Sequence, residues 1–406
     1  MLLIVSSHPV QYQVPIWRIL SQRMNMPVHV MYLTKQGVSN DYDPEFNISL
    51  KWDIDMLDGY NFSHIKDAVP TLGSFFYSRI SSLGLKDIKN FMTTNRVQYV
   101  MIQGWNIFAY YQIVNFVKRN TKAKIILRGE GTNLYKNRIF SNLIRTFILR
   151  NFFNKIDKFL YIGEANRQLY EDFSIEKDKL IFSPYSIDNK RFRDQLNLIT
   201  NKEKKLIRKE LLIDEDSVVV SFFGKLINKK RPLDIIHAAK ILENTISKKI
   251  HIVFVGDGEL FDEIIANSDC KYSKRLLATK MHRIQNHEAP KTSLLGFLNQ
   301  TEITKAYSIS NIIVLPSDQN ETWGLVVNEG MACGVVPVVS NRVGSSYDLV
   351  DPLSNKLIFD YADIDSLAKS LKFAIDNYPL LKEKVNKIIG QYTFDRVVES
   401  IKIATS

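Results

Sequence analysis

The chain has 406 residues, 45% of them hydrophobic and 24% charged, with a formal net charge of +11 and a pI near 9.3. That length exceeds one ordinary hydrophobic core and calls for two domains, while the composition excludes extended disorder. Two cysteines, Cys270 and Cys333, exclude a disulfide scaffold and point to a reducing cytoplasmic setting. The basic balance points to an anionic partner such as a membrane surface, or to lysines kept for solubility.

The opening MLLIVSSHPVQYQVPIW lacks a basic n-region and a small-residue cleavage site, so no signal peptide is expected. No run of 18 apolar residues predicts a spanning helix. Residues 2–7 predict a strand, 14–24 a helix and 28–33 a second strand. After an irregular stretch from Lys35 to Leu83, strands are predicted at 97–104, 124–129, 158–163 and 179–184, with helical patterns between most of them. Strands apolar on both faces and alternating with helices predict a mainly parallel, helix-covered sheet. Polar residues dominate from Tyr185 to Arg208 and mark a boundary. The same grammar then repeats, with strands at 218–224, 251–256, 293–297, 311–317, 335–340 and 356–360 and helices at 232–243 and from near Gly324. Helices over 363–376, 379–389 and 393–403 close the chain. The expected fold is α/β: two doubly wound Rossmann-like domains, 1–188 and 189–376, facing a central cleft, with 377–406 returning toward the first.

The chemistry is concentrated in LPSDQNETWGLVVNEGMACGVVPVVSNRVGSS, residues 315–346. Here a strand leads through a polar loop to a buried helix, whose N-terminus suits a diphosphate. Glu321 precedes the helix and Glu329 lies within it, and a carboxylate accepts from two adjacent hydroxyls. A loop acid and a solvent-facing helix charge are the simpler reading of the pair. Against it, Glu329 stands among Val326, Val327, Met331, Ala332 and Cys333, and Gly334 can end the helix. Upstream, FFGKLINKKRPLDIIHAAKIL (222–242) places Lys225 and Lys230 after a strand and Gly224. Gly224 permits close backbone approach and two ammonium groups can neutralise phosphates; a solvated basic turn has the same composition.

The Glu-x7-Glu spacing resembles the signature of the retaining GT-B glycosyltransferases of family 4, also called glycosyl transferases group 1. The resemblance implies that Glu321 orients the donor sugar, that Glu329 holds the ribose hydroxyls, and that Lys225 (in place of the usual Arg) and Lys230 contact the diphosphate. Thr322, Gly324, Leu325 and Val326 would line the donor site. VGDGELFDEI (255–264), with Gly256 and Gly258, and LLGFLNQTEITKAYSISNIIVLPS (294–317) are two further landmarks. Backbone at Gly296, Phe297 and Leu298 would face the base. Arg231 departs from the family's glycine, and Gly344 is the one glycine left, beside Ser345, of a glycine-rich loop near the sugar. The opening SSHPVQYQVPIWRIL resembles a subset of these enzymes with His-Pro-x-Gln-Tyr, which makes His8, beside Gln11 and Tyr12, a catalytic candidate at a strand's C-terminal edge. Where many members carry an N-terminal-domain histidine, this chain has Arg128, Gly129 and Glu130.

By the same resemblance, the activity is retaining transfer from a nucleoside diphosphate sugar, UDP- or GDP-linked, bound by the second domain. The acceptor, bound by the first, would be a saccharide or a polyprenyl diphosphate-linked saccharide. The setting would be bacterial surface polysaccharide synthesis (lipopolysaccharide or capsule), in the cytoplasm or peripheral on the inner face of the cell membrane. No cofactor and no metal are expected: His282 and His287 lack i, i+4 spacing, and Asp41 and Asp43 read as an exposed loop. The aromatic-rich runs 104–118 and 145–153 fit either a membrane-facing surface or buried helix faces. The competing readings are a sugar-nucleotide phosphorylase or epimerase, and a basic nucleic-acid-binding protein. The apolar runs fit sheet cores better than stacking platforms, so no nucleic-acid partner is expected.

Overall fold

The computed structural model describes residues 1–35, 41–43, 48–50, 53–65, 79–132, 139–243, 245–273, 289–318 and 321–406. Two units result: Met1–Asp41, Leu50–Tyr185 and Phe394–Ser406 form the first, Tyr42–Ser49 and Ser186–Thr393 the second.

In the first unit, β1 (Leu2–Ser6), α1 (Val14–Arg23) and β2 (Val28–Tyr32) follow the predicted order. Two short strands, β3 (Asp41–Asp43) and β4 (Ile48–Leu50), pair with each other and, apart from Asp41 and Leu50, belong to the second unit rather than this one. Asp41 and Asp43 therefore belong to a strand rather than the loop expected, because backbone pairing of 41–43 with 48–50 overrides the turn preference of aspartate. The unit continues with β5 (Phe62–His64), α2 (Ser82–Thr94), β6 (Tyr99–Gln103), α3 (Phe108–Asn120), β7 (Lys124–Gly129), α4 (Ile139–Phe153), β8 (Lys158–Tyr161), α5 (Glu164–Asp172) and β9 (Leu180–Phe182). The sheet order is β5-β2-β1-β6-β7-β8-β9, with every pairing parallel. Alternate residues feed the two faces. Leu3, Val5, Val100, Ile102, Ile125 and Leu127 pack with α2, α3 and α4, whereas Leu2, Ile4, Met101 and Ile126 pack with Trp17 and Leu20 of α1. Ser81 caps α2, its side chain accepting from Gly84 N at 3.1 Å.

The second unit contains α6 (Asn189–Leu198), α7 (Asn201–Glu210), β10 (Val218–Phe223), α8 (Leu233–Leu242), β11 (Ile250–Val255), α9 (Phe261–Ala266), β12 (Asp269–Ser273) and β13 (Lys291–Leu294). It ends with α10 (Ile303–Ile309), β14 (Ile312–Leu315), α11 (Leu325–Ala332), β15 (Val336–Ser340), β16 (Ile358–Phe359), α12 (Ile364–Asp376) and α13 (Tyr378–Ile389). Thr200 and Glu203 form a capping box that starts α7. The sheet order is β12-β13-β11-β10-β14-β15-β16, again wholly parallel. Sequential strands β10 and β11 pair on one side of β10 and β14 on the other, so the order reverses at the β10–β14 junction, where Val220 pairs with Ile312.

The closing segment expected over 377–406 divides. Leu381, Val385 and Ile389 form a stripe that holds α13 in the second unit against α11. The last helix, α14 (Phe394–Ala404), belongs to the first unit, where Val397, Val398 and Ile401 join the core beside α1 and Asp395 pairs with Arg23 at 2.5 Å. The two aromatic-rich runs also part. Tyr110, Ile113, Val114 and Val117 of α3 are buried, but in α4 Phe147 and Ile148 are exposed while Leu149, Phe152 and Phe153 are buried.

Candidate functional site

The site is built at the C-terminal edge of the second sheet, where strand order reverses and a crevice forms outside the strand ends. After β10 the chain turns through Gly224, Lys225 and Leu226 into a short 3-10 turn, Asn228–Lys230. After β14 it runs through Ser317 and Asp318 to Glu321 and the first turn of α11. Asp318 N donates to Lys229 O at 3.1 Å and ties the two loops together. Lys230 Nζ and Glu321 Oε2 then meet in a hydrogen-bonded ion pair, both side chains mostly buried. A cation and a carboxylate 91 positions apart in the chain thus face each other across the switch point.

Three loops are joined in a row along this edge. Gly224 N donates to Val255 O at 2.9 Å, Gly256 N to Gly296 O at 2.8 Å, and Leu226 N to Asp257 O at 2.9 Å. Gly256 needs to be glycine for two reasons: its φ is +143°, and a Cβ there would lie 1.9 Å from Gly224 O. Phe297 and Leu298 follow Gly296 and are partly buried. The loop at 344 packs as closely on the other side. Gly344 N donates to Glu321 O at 3.0 Å, and a Cβ on Gly344 would lie 1.7 Å from Thr322 O. The single glycine of that loop therefore stands where backbone meets backbone, and Ser345 and Ser346 are buried beside it.

Helix α11 starts from Gly324, with φ +88°, into Leu325 and Val326. Trp323 Nε1 donates to Asn328 Oδ1 at 2.7 Å and fixes the loop to the helix it precedes. Glu329 is 1% exposed, and Tyr307 OH donates to its Oε2 at 2.7 Å. The Tyr307 ring stacks on Phe223 at 3.9 Å and 15°, one residue before Gly224. Tyr307 is not among the residues that the sequence marks as site candidates: it lies inside the 294–317 landmark, but its side chain carries no charge, and only the fold sets it against Glu329. Burial, with Glu329 the next cause, also raises the Cys333 thiol well above its ordinary range.

Arg231, standing where a glycine was expected, adopts the left-handed conformation at φ 49°, ψ 45°. Its guanidinium makes a two-pronged bond to Asp234, at 2.6 and 3.0 Å, and lies over the Tyr361 ring at 5.4 Å. These contacts offset the roughly 1–2 kcal/mol that a Cβ costs there.

The remaining candidates lie in the first unit. Ser7 Oγ and His8 Nδ1 are 2.9 Å apart just after β1, and burial pulls the imidazole below its ordinary range. Gln11 Oε1 is buried and has no hydrogen-bond partner among the described residues. At the end of β7, Arg128 Nη1 lies 3.9 Å from Glu130 Oε1 and its guanidinium sits over the Tyr185 ring at 5.2 Å. Burial pushes the Glu130 carboxyl up, against Arg128 and the Tyr185 hydroxyl, which draw it down. Among the described residues no group of three or more His, Cys, Asp or Glu could hold a metal, and no helix is long and apolar enough to cross a membrane. His282 and His287 lie outside the described residues.

Two parallel, helix-covered sheets, each with a strand-order reversal, define a GT-B fold. Residues 203–392 match the family model of glycosyl transferases group 1. A UDP-Gal:alpha-D-GlcNAc-diphosphoundecaprenol alpha-1,3-galactosyltransferase of Escherichia coli is 29% identical over 238 residues, 57% of this chain and 55% of that protein. The chain thus matches about half the length of its curated relatives. Among solved structures, a glycosyltransferase from Rickettsia africae superposes with a TM-score of 0.68 at 15% identity, over 98% of this chain and 96% of that one. Anabaena Alr3699/HepE in complex with UDP and glucose superposes with a TM-score of 0.64 at 12% identity, over 100% and 98%.

Proposed function

We propose that this protein is a retaining glycosyltransferase that moves a sugar from a nucleoside diphosphate to an acceptor hydroxyl in bacterial surface polysaccharide synthesis. The observation that carries this reading is the Lys230–Glu321 pair at the switch point of the second sheet, next to the first turn of α11. A diphosphate there meets Lys225, Lys230 and a helix N-terminus, which together stabilise it as a leaving group without a metal bridge. Lys230 is already held by Glu321, so the cation is positioned before substrate arrives. Glu321 in turn fixes the sugar hydroxyls and Glu329, anchored by Tyr307, accepts from the ribose diol. Thr322, Gly324, Leu325 and Val326 line the phosphates, and Gly224, Gly256 and the Gly296–Leu298 backbone frame the nucleotide.

In the transfer, the bond between the anomeric carbon and the phosphate oxygen breaks and one to the acceptor oxygen forms on the same face. The acceptor proton passes to the departing phosphate. The E. coli relative's name supplies the nearest substrates: UDP-Gal as donor and a diphosphoundecaprenol-linked sugar as acceptor. By that likeness a UDP sugar and a polyprenyl diphosphate-linked saccharide are the substrates of choice, the second bound by the first unit, where His8 is the catalytic candidate. The protein then works at the cytoplasmic face of the membrane. Calorimetry with UDP, GDP, ADP and dTDP tests the donor site: selective binding to one base that weakens in Glu329→Ala is expected, and no binding of any nucleotide overturns the reading. NMR of the first product tests retention, which a configuration opposite to the donor's would refute.

A further inference from the structure

Helix α4 is apolar on two sides. Leu149, Phe152 and Phe153 turn to the core of the first unit, while Leu143, Ile144 and Phe147 leave 68%, 71% and 74% of their surface exposed and Ile148 leaves 43%. Four residues at i, i+1, i+4 and i+5 share one side of a helix, so they form a strip rather than scattered exposures. Arg145 and Arg150 are exposed next to it, and the helix contains no acidic residue.

The charge of the chain is concentrated in the same region. Between Asp87 and Asp157 the sole acid is Glu130, against twelve lysines and arginines, so this segment alone carries the excess of +11 that is the formal net charge of the chain. Its helices α2, α3 and α4 cover one face of the first sheet, and Lys89, Arg96, Lys118, Arg119, Lys122 and Lys124 are all at least partly exposed. Apolar side chains flanked by guanidinium groups match the boundary of an anionic bilayer, where the first enter the acyl edge and the second stay with the phosphates. A nucleic acid would use the cations but would gain little from exposed Leu and Ile, which offer it no stacking surface.

We propose that the outer face of α4 docks the first unit onto an anionic lipid bilayer. This deepens the membrane placement proposed above and is independent of the donor chemistry in the second unit. The test is cosedimentation of the full chain with vesicles of phosphatidylglycerol and phosphatidylcholine, or of phosphatidylcholine alone, across a salt series. Binding to the anionic vesicles at low salt, lost by about 0.5 M salt, is expected. The Leu143→Ser/Ile144→Ser/Phe147→Ser variant should bind about tenfold or more weakly, and Arg145→Glu/Arg150→Glu should weaken binding as well. All five side chains are exposed, so the fold should persist, which circular dichroism and UDP titration of each variant check. The proposal is overturned if the unaltered chain ignores anionic vesicles at low salt, or if the triple variant binds them equally well. A triple variant that turns a dimer into a monomer and keeps its vesicle binding would assign the strip to a second copy instead. Absence of UDP binding by the unaltered chain would sink the donor reading and leave the vesicle result standing.

Discussion

Replacing Tyr307 by phenylalanine removes one oxygen and keeps the ring that stacks on Phe223. What is lost is the 2.7 Å bond to Glu329 Oε2, on a residue with 1% of its surface exposed. A hydrogen bond to a charged acceptor contributes about 1.5–3 kcal/mol, and water has little access to replace this donor. Tyr307→Phe should therefore lower the stability of the second unit by about 2 kcal/mol, seen as a lower urea midpoint at an unchanged slope. The carboxylate also loses the partner that holds its rotamer, so UDP affinity should fall about tenfold, the equivalent of about 1.4 kcal/mol. In a Glu329→Gln background the same substitution should cost less, because the charge that strengthened the bond is gone. An unchanged urea midpoint together with unchanged UDP affinity in Tyr307→Phe would refute the claim that this hydroxyl positions Glu329.

Two further predictions concern stability. Burial, with Lys291 and Arg208 adding to it, pulls the fully buried His251 down to about 4 from 6.5 in the unfolded chain. The unfolded state then binds more protons as pH falls below 6.5, so stability present above that pH drains away toward pH 4, by about 2 kcal/mol between pH 7 and pH 5. Urea titrations at the two pH values check this, and a His251→Gln variant that keeps the full difference would show the imidazole is not its source. At position 231, Arg→Ala and Arg→Gly both delete the contacts with Asp234 and Tyr361, but only alanine retains a Cβ in the left-handed region. The glycine variant should be the more stable of the two by about 1 kcal/mol in chemical unfolding, and equal stabilities would mean that the turn relaxes.

Local structure was legible in the order of the residues. Strands such as VVVSFF at 218–223 and IHIVFV at 250–255 are apolar on both faces, which requires a helix-covered parallel sheet whatever else the chain does. Glycines at strand ends, and two glutamates placed before and inside a buried helix, could likewise be read from spacing alone. The tertiary structure settled the pairings that spacing does not encode. Lys230 meets Glu321 only because β10 and β14 are neighbours, and Tyr307 reaches Glu329 only because α10 and α11 both pack against α6. Arg231 tolerates a glycine's conformation because Asp234 and Tyr361 hold its side chain, and α14 joins the first unit because its stripe of Val397, Val398 and Ile401 finds α1 there. The two sides of α4 show the limit most clearly. Its residues are apolar almost all round, so periodicity could not separate the face that meets the sheet from the one left outside; packing geometry did, because a helix lying on a sheet covers only one of its sides.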